Sequence, residues 1–108
     1  PHDVPRKAWH TLCSDLFFWN DTYRYYLLVT DYYSRFPLVK MLTNTQSPTV
    51  NAHLKSIFEE HGIPSKLVTD NGPQYTSAAF HEFSNSYAFS HVMSSLLYPR
   101  CNGLTEAF

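Results

Sequence analysis

Three carboxylates stand at positions from which they could do chemistry. Asp15 lies between Ser14 and Leu16 inside an apolar run, Asp70 closes a second run just before Asn71 and Gly72, and Glu106 falls in the first turn of a helix-like ending. A carboxylate in the middle of a sheet costs several kcal/mol unless a partner neutralises it or it is well hydrogen-bonded, so Asp15 demands compensation. Brought together, three such groups suit two divalent cations about 3.5–4 Å apart, which activate water or a 3′ hydroxyl and steady the departing oxygen of a phosphodiester. Hard oxygen donors favour Mg²⁺, with Mn²⁺ as a substitute. Taken singly, a strand Asp is more often salt-bridged or solvated, and an Asp before Asn-Gly is more often a turn residue. The chemistry therefore depends on convergence.

Convergence requires a sheet. His10 to Trp19, Thr22 to Asp31 and Phe36 to Leu42 are rich in β-branched and aromatic residues and are separated by short polar connections, which predicts three antiparallel strands. Their central runs do not alternate cleanly, so the sheet is expected to be covered by helices on both faces. Val50, Leu54, Ile57 and Phe58 then recur at helical spacing, with Ser47 as N-cap, Pro48 in the first turn, and Gly62 and Pro64 as stops. Lys66 to Thr69 reads as a strand parallel to one of the first three. A second helix from Thr76 or Ser77 carries Phe80, Phe83 and Tyr87, and Phe89 to Met93 forms the fifth strand. If the first and fourth strands are neighbours, Asp15 and Asp70 face each other and Glu106 reaches across.

Composition narrows the function classes. The 108 residues are 44% hydrophobic and 16% charged, which gives a folding chain with room for one core, and the formal net charge is −1. A protein gripping nucleic acid through phosphates alone is usually basic, so a role on DNA needs local positive patches, bound metal or further domains. No apolar stretch nears the roughly 20 residues of a membrane span. Cys13 and Cys101, 88 positions apart, form no metal-binding pattern, and reduced thiols are the default expectation. His10, His53, His61, His81 and His91 lack zinc-ligand spacing. Asp31 is expected to be structural, bonding the turn that follows or pairing with Arg35, Trp9 and Trp19 to be buried anchors, and Tyr32, Tyr33, Tyr75 and Tyr98 to be candidates for surface contact among mostly packed aromatics.

The segments DYYSRFP (Asp31 to Pro37), HGIPSKLVTDNGPQYTS (His61 to Ser77) and YPRCNGLTE (Tyr98 to Glu106) resemble the integrase catalytic core of retroviruses and, more closely, of Gypsy-type long-terminal-repeat retrotransposons and host genes derived from them. The resemblance runs from about Trp9 to Glu106, and the 35 residues between Asp70 and Glu106 match the spacing of that family's acidic triad. It implies an α/β, RNase H-like fold whose five-stranded mixed sheet, first three strands antiparallel, is flanked by helices. Residues 1–8 become a linker and 9–108 a catalytic core incomplete at its C-terminus.

The same resemblance implies that Asp15, Asp70 and Glu106 bind Mg²⁺ or Mn²⁺ and carry DNA 3′-end processing and strand transfer. Asn71, Gln74, Tyr98, Arg100 and Asn102 fall near the bound DNA, and residues 94–103 correspond to a flexible active-site loop. Double-stranded DNA ends and target DNA become the partners, with a homo-oligomeric parent, no membrane, and an intracellular, nuclear location. Departures from the family pattern include Arg100 for glutamine, Cys101 for serine, and Ala88 where a helix-ending glycine is common. They motivate an alternative, a catalytically inactive, domesticated module that binds nucleic acid or protein. A nuclease that hydrolyses without joining is a third reading. With barely one turn around Glu106, the 108-residue chain is expected to be marginally stable and poorly active alone.

Overall fold

In the computed structural model, residues 8–93 and 96–101 are described. They form strands β1 (Thr11–Trp19), β2 (Arg24–Asp31), β3 (Pro37–Met41), β4 (Lys66–Val68) and β5 (Ser90–Val92), helices α1 (Ser47–His61), α2 (Pro73–Thr76) and α3 (Ala78–Tyr87), and a 3₁₀ turn at Pro99–Cys101. The sheet order is β3-β2-β1-β4-β5. β1, β2 and β3 pair antiparallel, while β4 is parallel to both β1 and β5. The mixed sheet and the first–fourth strand adjacency agree with the expectation from sequence.

β1 is central, and its alternating side chains face two different layers. Leu12 joins Leu27, Val29, Leu54, Ile57, Leu67, Tyr75 and Phe80 in the main core beneath the helices. Each fully buried aliphatic or aromatic side chain there contributes roughly 1.5–3 kcal/mol. The opposite face holds a smaller cluster in which Phe17, Tyr32 and Cys101 pack on Cys13 and Leu28. Among the described residues all three helices lie over the main core, so helix cover is seen on one face. Phe17, Trp19 and Tyr26 make a ladder of ring contacts, and Trp19 stays 48% exposed. Trp19 is therefore not the buried anchor expected from its size.

The apolar stripe of α1 is buried as its spacing predicts. Its cap differs: Gln46 occupies the N-cap, and the buried Ser47 hydroxyl instead donates to the Gln74 carbonyl at 2.7 Å. Gly62 ends α1 at φ 105° and ψ 158°, a region essentially restricted to glycine, and its carbonyl accepts from the Trp9 indole at 2.6 Å. The second helix begins earlier than the sequence suggests. Pro73 opens the short α2, and Ser77 restarts the chain as the N-cap of α3 by accepting from the Phe80 amide at 3.1 Å. Ala88 ends α3 in the left-handed region, φ 59° and ψ 38°. Leu104 to Phe108, expected to begin a third helix, lie outside the described residues.

Candidate active site

Cys13 pairs with Val68 at the last bridge of β1 with β4; Asp15 lies two residues further along β1, and Asp70 two residues beyond Val68, just past the end of β4. Parallel register thus carries these two carboxylates toward one end of the sheet. Asp15 is half-buried opposite Leu28, on the face that carries Cys13, and one of its oxygens accepts from the Leu16 amide at 2.9 Å. It is not sealed in an apolar layer. Burial pushes its carboxyl above the ordinary value of 3.8; the Leu16 bond opposes that shift and the nearby charge of Asp70 adds to it.

Asp70 is exposed, and its Oδ1 accepts from the Gly72 amide at 2.8 Å, the turn expected of Asp before Asn-Gly. The same oxygen lies 3.0 Å from where a Cβ on residue 72 would stand, and the Gln74 amide nitrogen lies 2.5 Å from that point. A side chain at 72 would displace the end of Gln74, while the backbone there holds an ordinary φ of −60°. Beneath the pair, the buried Tyr75 hydroxyl shares a 2.8 Å hydrogen bond with Ser14, joining α2 to β1. Burial raises the Tyr75 phenol far above its usual range; the Ser14 bond lowers it, and the charges of Asp15 and Asp70 each raise it further. One buried ring thus senses both carboxylates. Tyr75 is 1% exposed, not the surface contact expected from sequence, because the polar stretch that carries it forms a helical turn.

The loop residues carry a second constellation. The Lys66 ammonium donates to the Tyr98 hydroxyl at 3.0 Å, Tyr98 meets Tyr32 edge-on at 5.4 Å, and the Arg100 guanidinium lies 5.3 Å from the Tyr32 ring centre. Arg35 donates to the Arg100 carbonyl at 3.2 Å. Asp31, 1% exposed, accepts from the Trp9 amide and from the Ser34 amide and hydroxyl. It bonds its turn rather than the Arg35 side chain. Asn71 is exposed, and Gln74 is half-buried against Gly72. Asn102 and Glu106 lie outside the described residues.

The expectation of reduced thiols is overturned. Cys13 and Cys101 form a disulfide with Cα atoms 5.6 Å apart, within the range that geometry allows. Sequence separation hid the pair, because only the folded sheet places the 3₁₀ turn on β1.

Among the described residues no three His, Cys, Asp or Glu side chains form a metal cage. The donor chemistry of Asp15 and Asp70 nevertheless fits a hard cation. Both offer oxygen, their like charges repel, and among the described residues no cationic side chain is salt-bridged to either. A cavity of about 760 Å³ lies elsewhere, lined by residues including Tyr75, Ser77, His81, Asn85 and His91 and by neither carboxylate. It is not the candidate site.

The integrase core domain profile matches residues 5–99. The chain is 33% identical over its whole length to the uncharacterized protein K02A2.6 of Caenorhabditis elegans, and 34% identical over 83 residues, 77% of the chain, to the Gag-Pro-Pol polyprotein of Simian retrovirus SRV-1. It spans only 8% and 5% of those relatives. The catalytic core domain of BIV integrase superposes with a TM-score of 0.80 at 15% identity, over 92% of this chain and 63% of that one. The HTLV-2 integrase catalytic core domain, solved in complex with magnesium, superposes with a TM-score of 0.69 at 28% identity, over 92% and 68%. With its RNase H-like sheet and an adjoining pair of aspartates, the chain belongs to the integrase core domain family of enzymes.

Proposed function

We propose that this chain is the metal-dependent polynucleotidyl transferase core of a Gypsy-type retrotransposon integrase, acting in the nucleus on DNA ends and target DNA. The observation that carries the reading is the approach of Asp15, on β1, and Asp70, just past the end of the parallel β4, near enough for the Asp70 charge to act on Asp15. Asp15 and Asp70, joined by Glu106, would hold Mg²⁺ or Mn²⁺. When bound, the ions supply a lowered pKa for the attacking water or hydroxyl and charge neutralisation for the departing oxygen.

The protein's own contribution is placement. The β1–β4 pairing sets the spacing of the two aspartates, and Leu16 N–H fixes one Asp15 oxygen so that the other stays available. The Gly72 amide holds Asp70 in the same way. Asn71 and Gln74 flank this turn, and Tyr98 and Arg100 present ring and guanidinium from the loop, the groups that contact bases and phosphates. In end trimming, water attacks phosphorus, the P–O3′ bond breaks and the released oxygen takes a proton. In joining, a DNA 3′ hydroxyl attacks instead, and one phosphodiester replaces another. Neither step uses a histidine base. A homo-oligomeric parent is part of the proposal, since the family's intasome and core-domain structures include assembled forms.

A second reading, a domesticated module without catalysis, draws support from Ala88, which holds a left-handed conformation at a cost of roughly 1–2 kcal/mol. Strand joining separates the two. With the longer protein, Mg²⁺ or Mn²⁺ and blunt DNA ends, the enzyme reading predicts joined products that Asp70→Asn abolishes. Equal product from both proteins, or none from either, would reject it.

A further inference from the structure

We propose that Cys13 and Cys101 form a redox-controlled latch that fastens the Tyr98–Cys101 turn to β1 beside Asp15. Cys13 is 3% exposed and precedes Asp15 by one same-face step along β1. Cys101 is half-buried at the end of the 3₁₀ turn. Other contacts of the turn include Lys66 to Tyr98, Tyr98 edge-on to Tyr32, Arg100 over Tyr32, and Arg35 to the Arg100 carbonyl. Arg35 and Arg100 are exposed, so solvent competes for those contacts. The sulfur bridge is the covalent attachment between the turn and the sheet.

The chemistry balances with a dithiol reductant. Its thiolate attacks the more accessible Cys101 sulfur, the S–S bond breaks, and Cys13 leaves as a thiolate that takes a proton. The reductant's second thiol resolves the mixed disulfide and frees Cys101 as a thiol. The protein gains two electrons and two protons, and the dithiol becomes a cyclic disulfide. Oxidation by a small-molecule disulfide reverses the exchange.

The consequence for the site rests on the reading of Asp15 and Asp70 as cation ligands. Cys13 and Asp15 are same-face neighbours on β1, and Asp15 stands opposite Leu28. Fastening the turn against Cys13 and Leu28, the face of β1 that carries Asp15, holds the surroundings of that carboxylate in one arrangement, so the oxidised protein binds divalent cations more tightly.

The test uses trypsin at the Arg100–Cys101 bond, thiol alkylation and Mn²⁺ calorimetry on three samples: oxidised protein, dithiothreitol-reduced protein and Cys101→Ser. The proposal expects no alkylation without reductant and two alkylated thiols after it. Tryptic cleavage at Arg100 should be at least tenfold faster in the reduced sample, reverse on reoxidation with glutathione disulfide, and be equally fast in Cys101→Ser with or without reductant. Mn²⁺ affinity should fall about fivefold on reduction. Free thiols in the unreduced protein, or equal cleavage in both states, would overturn the latch. Cleavage that changes while a measurable Mn²⁺ affinity stays constant would overturn its control of the site. If no sample binds Mn²⁺, the cation-ligand reading and the latch's control of it both fail, whereas the latch itself is decided by cleavage.

Discussion

The hydrogen bond between Ser14 and Tyr75 is the strut that sets α2, and with it the Asp70 turn, against the strand carrying Asp15. Both residues are buried, at 3% and 1% exposure, and their hydroxyls are 2.8 Å apart. Tyr75→Phe leaves the Ser14 hydroxyl without that partner, and Ser14→Ala does the same to the phenol. Each change should cost about 2 kcal/mol, because a buried polar group that loses its bond pays its desolvation. The double variant removes both polar groups and should cost no more than either single change, which gives a coupling of about 2 kcal/mol in a double-mutant cycle. Urea unfolding of the four proteins measures it, with unchanged denaturant slopes as the check that the unfolded states are comparable. Additivity within about 0.5 kcal/mol would show that the hydroxyls do not depend on each other, and the strut would be refuted.

Burial raises the Asp15 carboxyl in the native state, so the stability linked to this group is full below the ordinary value of 3.8 and is lost as pH rises through the elevated native value. Asp15→Asn should therefore raise the melting temperature of the metal-free protein at pH 7, with the gain fading below pH 3.8. His91 runs in the opposite direction. Burial and then the charge of His81 lower its pKa, so the stability linked to the neutral ring is full above 6.5 and lost as pH falls through the native value. His91→Gln should flatten that acid-side loss in melts between pH 7 and pH 5. Ala88→Gly relieves roughly 1–2 kcal/mol of left-handed strain but adds about 0.4–1 kcal/mol of unfolded-state entropy. The net expectation is a gain of about 0.5 kcal/mol in urea unfolding, and a loss would contradict the strain.

Periodicity makes much of the fold legible in the sequence. Val50, Leu54, Ile57 and Phe58 announce α1 because only a helix puts them on one side, and all four are buried. The breakers around Lys66 to Thr69 isolate β4, and its crossover from β3 makes a parallel neighbour the natural outcome. What alternation does not encode is the layer above a face. Trp19 belongs to a face whose described residues include no helix, so its ring stays half exposed. Tyr75 gave the reverse error: a turn-like stretch, DNGPQYT, conceals a helical turn that drives its ring into the core. The sulfur bridge required knowing that residue 101 returns to residue 13, which is a property of the sheet. Of the eight candidate site residues, the structure gathers Asp15 and Asp70 and sets Asn71 and Gln74 beside them, with Tyr98 and Arg100 on the neighbouring turn. Asn102 and Glu106 belong to residues 102–108, outside that description.

The central claim is that Asp15 on β1 and Asp70 just past β4 share a cation. Calorimetric titration of Mn²⁺ into the oxidised protein tests it most directly. Saturable binding that is lost in both Asp15→Asn and Asp70→Asn, with each variant still folded by circular dichroism, is the predicted result. Binding that survives either substitution unchanged, or no binding by the wild-type protein, would contradict it.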